Sequence, residues 1–257
     1  MTFPYYFHFF GTSIHPHRLM EALAYLSGFT LNLASRYRRR ELETQVGFGK
    51  NMWLMVGAVA GALCGAKLLA IAESPQQYGT QAGAGLLAFV DGKTIVGGLL
   101  GGWLGIEIAK KCTHVSRSTG DGWVLPLIVA MSIGRVGCFL TGLSDQTHGI
   151  ETALPWGVDF GDHVVRHPTQ LYEIVFLLLI APPLVWLDRR PHTPGLVFRL
   201  FMLAYLAFRF VIEFIKPTSK PFLGLSAIQI TCLCGAVYCI YSLRRYMSAA
   251  EMSPSKA

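Results

Sequence analysis

The stretch that most constrains this chain is Gly122–Leu143, GWVLPLIVAMSIGRVGCFLTGL. It has the length of a bilayer-spanning helix, yet it carries Arg135 well inside its apolar run. A charged side chain near the membrane centre costs between about 2.5 and more than 10 kcal/mol. Only an anion offsets that cost, either a carboxylate elsewhere in the fold or a lipid phosphate. What Arg135 faces therefore decides what the chain can do.

The rest of the sequence fits a bilayer. Of its 257 residues 52% are hydrophobic and only 14% charged, against about 25% charged in a soluble domain. The pattern predicts an all-α polytopic membrane protein, with its helices sharing one bundle as a single domain over 1–257. Apolar runs fall at roughly 19–35, 52–72, 94–109, 122–143, 169–187, 195–215 and 222–243, about seven transmembrane helices. The third is short and glycine-rich, which suits a tilted or broken helix. The opening residues, MTFPYYFHFFGTSIHPHR, lack the basic start and clean apolar core of a cleavable signal peptide.

The net charge of +7 does not call for nucleic acid, because the basic residues concentrate between the runs. Arg36, Arg38, Arg39, Arg40 and Lys50 fill the first connection, Lys110, Lys111 and Arg117 the third, and Arg189 and Arg190 the fifth. Arg244, Arg245 and Lys256 close the tail. The opposite side offers fewer: Arg18, Lys93, Arg166, Lys216 and Lys220. The excess places the C-terminus in the cytoplasm and the N-terminus outside. On the outer side residues 144–168 read as a small periplasmic cap between the fourth and fifth helices. There Trp156 and Phe160 alternate with small or polar residues as in a short strand or hairpin.

Cys64, Cys112, Cys138, Cys232, Cys234 and Cys239 show no CxxC-plus-His spacing, so they read as buried helix residues. No metal and no cofactor is expected. Chemistry points instead to two charge clusters inside the apolar runs. In Gly134-Arg135-Val136-Gly137 the glycines let a backbone or a headgroup approach the guanidinium. In FRFVIEF, Arg209 and Glu213 stand i, i+4 on one helix face. The plain reading of that pair is a structural ion pair, which leaves Arg135 alone unless Glu173 or Glu213 serves it. Two arginines with few carboxylates favour a phosphate site, since guanidinium binds phosphate bidentately. HPTQLYE, at 167–173, opens the fifth run with Pro168 at the helix start. Tyr172 suits an interfacial belt; Gln170 and Glu173 enter the apolar region and suit a site lining.

The segments GRVGCF, PWGVDF, RHPTQLYE and FRFVIEF, in this order and on these runs, resemble the prolipoprotein diacylglyceryl transferase family over most of the chain. That family moves the diacylglyceryl group of phosphatidylglycerol to the thiol of a lipobox cysteine, and glycerol 1-phosphate leaves. The resemblance implies that Arg135 and Arg209 hold the phosphodiester and stabilise charge on the departing phosphate, with Glu213 orienting Arg209. Gly97, Gly98, Gly134, Gly137, His167, Gln170, Tyr172 and Glu173 would line the donor site.

The departures are equally specific. Val96 stands where the family has a histidine before paired glycines, Cys138 where it has an asparagine, and Leu143 where it has an acidic residue. Pro16-His17-Arg18 replaces its Trp-Tyr-Gly. A group acting on the acceptor thiol is thus missing while the arginines stay. His17, with Glu21 at i, i+4 to orient it, is a candidate general base; the plainer reading is a histidine in the headgroup layer. His15 and Lys93 are further candidate contacts. Besides a lipid-dependent transferase with the usual or an altered acceptor, the sequence admits a catalytically silent phospholipid-binding protein that assists another envelope component. A transporter is disfavoured, because the inner half holds few polar residues beyond Lys67 and Arg199 and no internal repeat is evident.

Overall fold

The run that carries Arg135 folds as a helix, Val124–Thr141, ended by Gly142 at φ +72°. The structure is a computed structural model that describes residues 3–9, 12–38, 47–75, 94–116 and 118–251. Among the described residues there are seven α-helices: α1 Pro16–Arg38, α2 Phe48–Glu73, α3 Ile95–Thr113, α4 Val124–Thr141, α5 Thr169–Asp188, α6 Leu196–Ile212 and α7 Ala227–Glu251. Two small antiparallel pairs accompany them. β1 Phe7–Phe9 pairs with β2 Thr12–Ile14, and β3 Val158–Asp159 pairs with β4 Val165–Arg166.

Among the described residues four segments are long and apolar enough to cross a membrane: Gly49–Glu73, Asp121–Asp145, Thr169–Asp188 and Ala227–Arg245. Two of the other helices, α3 and α6, have plain reasons to fall short. α3 ends in a charged turn with Glu107, Lys110 and Lys111, and the 17 residues of α6 extend only about 26 Å. Large apolar side chains such as Leu68, Leu179 and Val237 are about two-thirds exposed or more, as lipid-facing residues of a polytopic membrane protein must be.

The chain divides into two compact units. The first takes Met1–Arg39, Thr119–Phe201 and Phe214–Pro217. Within it α1 lies along α4 through two glycines. A Cβ at Gly137 would meet Met20 at 2.7 Å, and one at Gly28 would meet Ala130 at 3.3 Å. The hairpin expected over 144–168 is present. Beneath it Phe160, fully buried, joins Phe3 and Phe139 with ring centroids 5.2 and 5.9 Å away. Asp121, at the start of α4, accepts the backbone N–H groups of Gly195 and Phe198, capping α6.

The second unit takes Arg40–Ser118, Met202–Glu213 and Thr218–Ala257. Its α2 and α3 meet along a ladder of glycines, Gly57, Gly61 and Gly65 against Gly105, Gly101 and Gly97. A Cβ at any of the six would fall 2.0–2.6 Å from a carbonyl oxygen of the facing helix. α3 is thus continuous, and its glycines serve close helix approach instead of a break. α7 opens with a reciprocal cap: Gln229 N–H donates to Ser226 Oγ and Ser226 N–H to Gln229 Oε1. Cys138, Cys232 and Cys239 are buried, as expected of all six cysteines; Cys64, Cys112 and Cys234 lie exposed on their helices, where apolar surroundings tolerate a thiol.

Candidate functional site

Arg135 does not stand alone. Its Nε lies 2.9 Å from Glu173 Oε2, and both side chains are buried. α4 presents the arginine, and α5, beginning just after Pro168, presents the glutamate one turn in. Arg135 Nη1 also donates to Cys138 Sγ at 3.7 Å, one turn along the same helix. On the other flank a Cβ at Gly134 would meet nothing within 4 Å, whereas Gly137 is filled by Met20 and the His17 backbone. Of the two glycines beside the guanidinium, one admits α1 and the other leaves open space.

Beyond Cys138 the polar groups continue. His17 Nδ1 stands 3.2 Å from Asp145 Oδ1. The Cys138 sulfur lies within 4.8 Å of a ring nitrogen of His17 and of a carboxylate oxygen of Asp145. Asp145 Oδ2 accepts from the Thr147 hydroxyl at 2.7 Å, and that hydroxyl accepts from Gln170 Nε2 at 3.0 Å. The Thr169 hydroxyl donates to the Thr147 carbonyl. A single row of neighbouring polar groups thereby runs Glu173–Arg135–Cys138–His17–Asp145–Thr147–Gln170, within the first unit.

His17 is paired with Asp145 and not with Glu21, which accepts the Tyr25 hydroxyl at 2.9 Å. The expected i, i+4 orientation by Glu21 is therefore replaced by a carboxylate from the turn after α4. The packing of α1 against α4 sets Asp145 over the first turn of α1. Its carboxylate, 3.2 Å away, pushes the His17 pKa up to about 10; the nearby Cys138 thiol adds to this and burial opposes it. His15 acts locally, where its Nδ1 accepts the His17 N–H at 3.3 Å and caps α1 at the turn before Pro16. Its pKa is lowered, first by burial and then by the charges of His17 and Arg18.

The remaining expected residues divide by place. His167 Nδ1 lies 3.0 Å from the Tyr172 hydroxyl, which also accepts the Trp156 indole N–H at 2.9 Å, tying cap to helix start. In the second unit Arg209 Nη2 lies 2.8 Å from Glu213 Oε2, both buried, as the i, i+4 spacing predicts. Val96 is buried, Gly97 sits against Gly65 in the helix ladder, and Gly98 faces Ala66 at an ordinary 3.8 Å. Lys93 lies outside the described residues. Sequence reasoning overlooked Asp145 and Thr147, although the polar DQTH directly after an arginine-bearing helix marks where such side chains return to the helix ends.

Comparison with known proteins agrees with these segments. The family model for prolipoprotein diacylglyceryl transferase matches residues 4–244. The phosphatidylglycerol–prolipoprotein diacylglyceryl transferase of Nitrosomonas europaea is 32% identical over 220 residues, 81% of this chain and 77% of that protein. The enzyme of the same description from Clostridium tetani is 31% identical, covering 83% of this chain and 85% of its own length. That from Cupriavidus necator is 27% identical over 259 residues, with 90% and 91% covered.

Proposed function

Since the chain belongs to the prolipoprotein diacylglyceryl transferase family, we propose that it transfers the diacylglyceryl group of phosphatidylglycerol to a thiol, with Arg135 as the residue that holds the phosphate. The buried Arg135–Glu173 pair carries this reading. Glu173 fixes the guanidinium plane in a low-dielectric site, where a fixed donor stabilises developing charge far better than in water. The open side at Gly134 suits the entry of a headgroup. The buried Gln170 Oε1 accepts no hydrogen bond among the described residues, which suits a glycerol hydroxyl of the donor.

In the reaction a thiolate sulfur forms a bond to the glyceryl carbon, the carbon–oxygen bond to phosphate breaks, and glycerol 1-phosphate leaves with the electron pair. Arg209, held by Glu213, belongs to the same reaction by its place in the FRFVIEF segment. His167, Tyr172 and Gly98 are assigned to the donor's surroundings, and Lys93 to a phosphate contact. The acceptor is a prolipoprotein with a lipobox cysteine, presented from outside. The N-terminus and the 144–168 cap lie on that periplasmic side, and the C-terminus lies in the cytoplasm of the host bacterium.

A second reading, a silent phospholipid-binding relative, draws on the buried Val96 in place of the family's histidine. One experiment separates the two. Purified protein is given phosphatidylglycerol labelled in its glycerol headgroup, with and without a lipobox peptide, and released glycerol phosphate is measured. Peptide-dependent release is expected, falling about 10²–10³-fold in Arg135→Gln. Equal turnover by that variant refutes the proposed phosphate site; lipid binding with no release establishes the silent reading.

A further inference from the structure

His17, Cys138 and Asp145 reach one point from three places: the first turn of α1, the last turn of α4 and the turn that follows it. One imidazole nitrogen, the thiol sulfur and one carboxylate oxygen lie within 4.8 Å of one another. That triangle is informative. In a nucleophile–base–acid relay the outer groups bond to opposite nitrogens of the imidazole and stay apart, as the two-sided logic of catalytic triads requires. Here sulfur and carboxylate also reach each other, so the three donors share one face, as the ligands of a tetrahedral ion do.

We propose that His17, Cys138 and Asp145 bind a zinc ion, and that the acceptor's thiol takes the fourth position. The donor set selects the ion. Calcium and magnesium take oxygen ligands, whereas nitrogen, sulfur and oxygen together suit zinc, and three protein ligands are the usual number where a fourth position serves chemistry. When the ion displaces the thiol proton and the imidazole proton that faces Asp145, a thiolate, a carboxylate and a neutral imidazole balance its divalent charge. The groups behind the ligands are those a metal site uses to fix them. Thr147 holds the second oxygen of Asp145, Gln170 holds Thr147, and Arg135 Nη1 donates to the Cys138 sulfur.

The role of the ion rests on the transfer proposed above. A thiol coordinated to zinc gives up its proton to solvent and remains a nucleophile. Its sulfur then forms the bond to the glyceryl carbon, and the phosphate oxygen departs with the pair from the broken carbon–oxygen bond. Zinc therefore serves the acceptor and Arg135 the donor.

The test uses the full-length protein in detergent, purified without chelator. Its metal content is measured, and the zinc is then replaced by cobalt. About one zinc per chain is expected, with a near-ultraviolet sulfur-to-cobalt absorption band that Cys138→Ser removes. Asp145→Asn is expected to lose the metal. Thr147→Val, which leaves all three ligands in place, is expected to weaken zinc binding about 10–100-fold. A folded parent protein that takes up neither zinc nor cobalt overturns the site, as does full metal content in Cys138→Ser. Chelator-stripped protein that still melts cooperatively and still releases glycerol phosphate in a peptide-dependent manner overturns the role in transfer while leaving the donor reading intact. Zinc bound at His17, Cys138 and Asp145 with no release from labelled lipid upholds the site and refutes the transferase reading instead.

Discussion

Replacing Gly101 with alanine sets two effects of opposite sign against each other. In a helix interior alanine is favoured over glycine by about 1 kcal/mol, so a loosely packed α3 would gain stability. The ladder with α2 reverses the sign. The new Cβ would sit 2.3 Å from the Gly61 carbonyl oxygen and 2.9 Å from the Gly65 Cα, both backbone atoms that no rotamer change can move aside. Restoring normal contact pushes the helices apart by about 1 Å, which forfeits a quarter to a half of the dispersion energy along the seam. Overpacking of this kind costs about 1–3 kcal/mol, and in a bilayer close packing is a main source of helix association. A net loss of about 2 kcal/mol is expected, roughly 4–8 °C in the melting temperature. Gly102→Ala is the matched control: its Cβ meets Ala58 O and the Ala62 Cβ at an ordinary 3.4 Å, so it should melt at or slightly above the parent temperature. Both are measured by thermal unfolding in one detergent. Gly101→Ala melting as high as Gly102→Ala would refute the ladder.

Other expectations follow from single contacts. Glu173→Gln removes the charge facing buried Arg135 and should cost about 3 kcal/mol, read as a lower melting temperature along with weaker lipid turnover. Ser226→Ala deletes one half of the cap on α7 and should cost about 1 kcal/mol, with no change in turnover. Arg166 holds the exposed Asp162 carboxyl below its ordinary 3.8. The pair's small contribution is thus complete above that pH and fades as acid titrates Asp162 through its lowered pKa. Asp162→Asn should leave melting at neutral pH unchanged and flatten the acid limb of the pH profile; a clear loss at neutral pH would contradict the surface character of the pair.

Much of this could be read from the chain because hydrophobic length and i, i+4 spacing are local properties. The helices follow the apolar runs, and Arg209–Glu213 was visible as spacing alone. The partner of Arg135 was half visible: Glu173 was marked, but only the packing of α5 on α4 selects it. The partner of His17 was misread. Glu21 is near in sequence, whereas Asp145 is near only because Gly137 lets α1 settle against α4, and no periodicity reports that approach. The glycines of α3 misled in the same way, since a run of small residues looks like a weak helix until a second run is laid against it. The metal-binding triangle stayed hidden because its donors have none of the regular spacing that marks a zinc motif within one segment.

Asp121 has a consequence for how the protein is made. Its carboxylate waits at the edge of α4 for the backbone of Gly195 and Phe198, 74 and 77 residues downstream. During synthesis α4 and α5 must enter the bilayer before the partners of that charge have left the ribosome. The docking of α6 is then a late event that seals an earlier one, and shortening the segment between Asp188 and Gly195 should stall assembly with α4 already inserted.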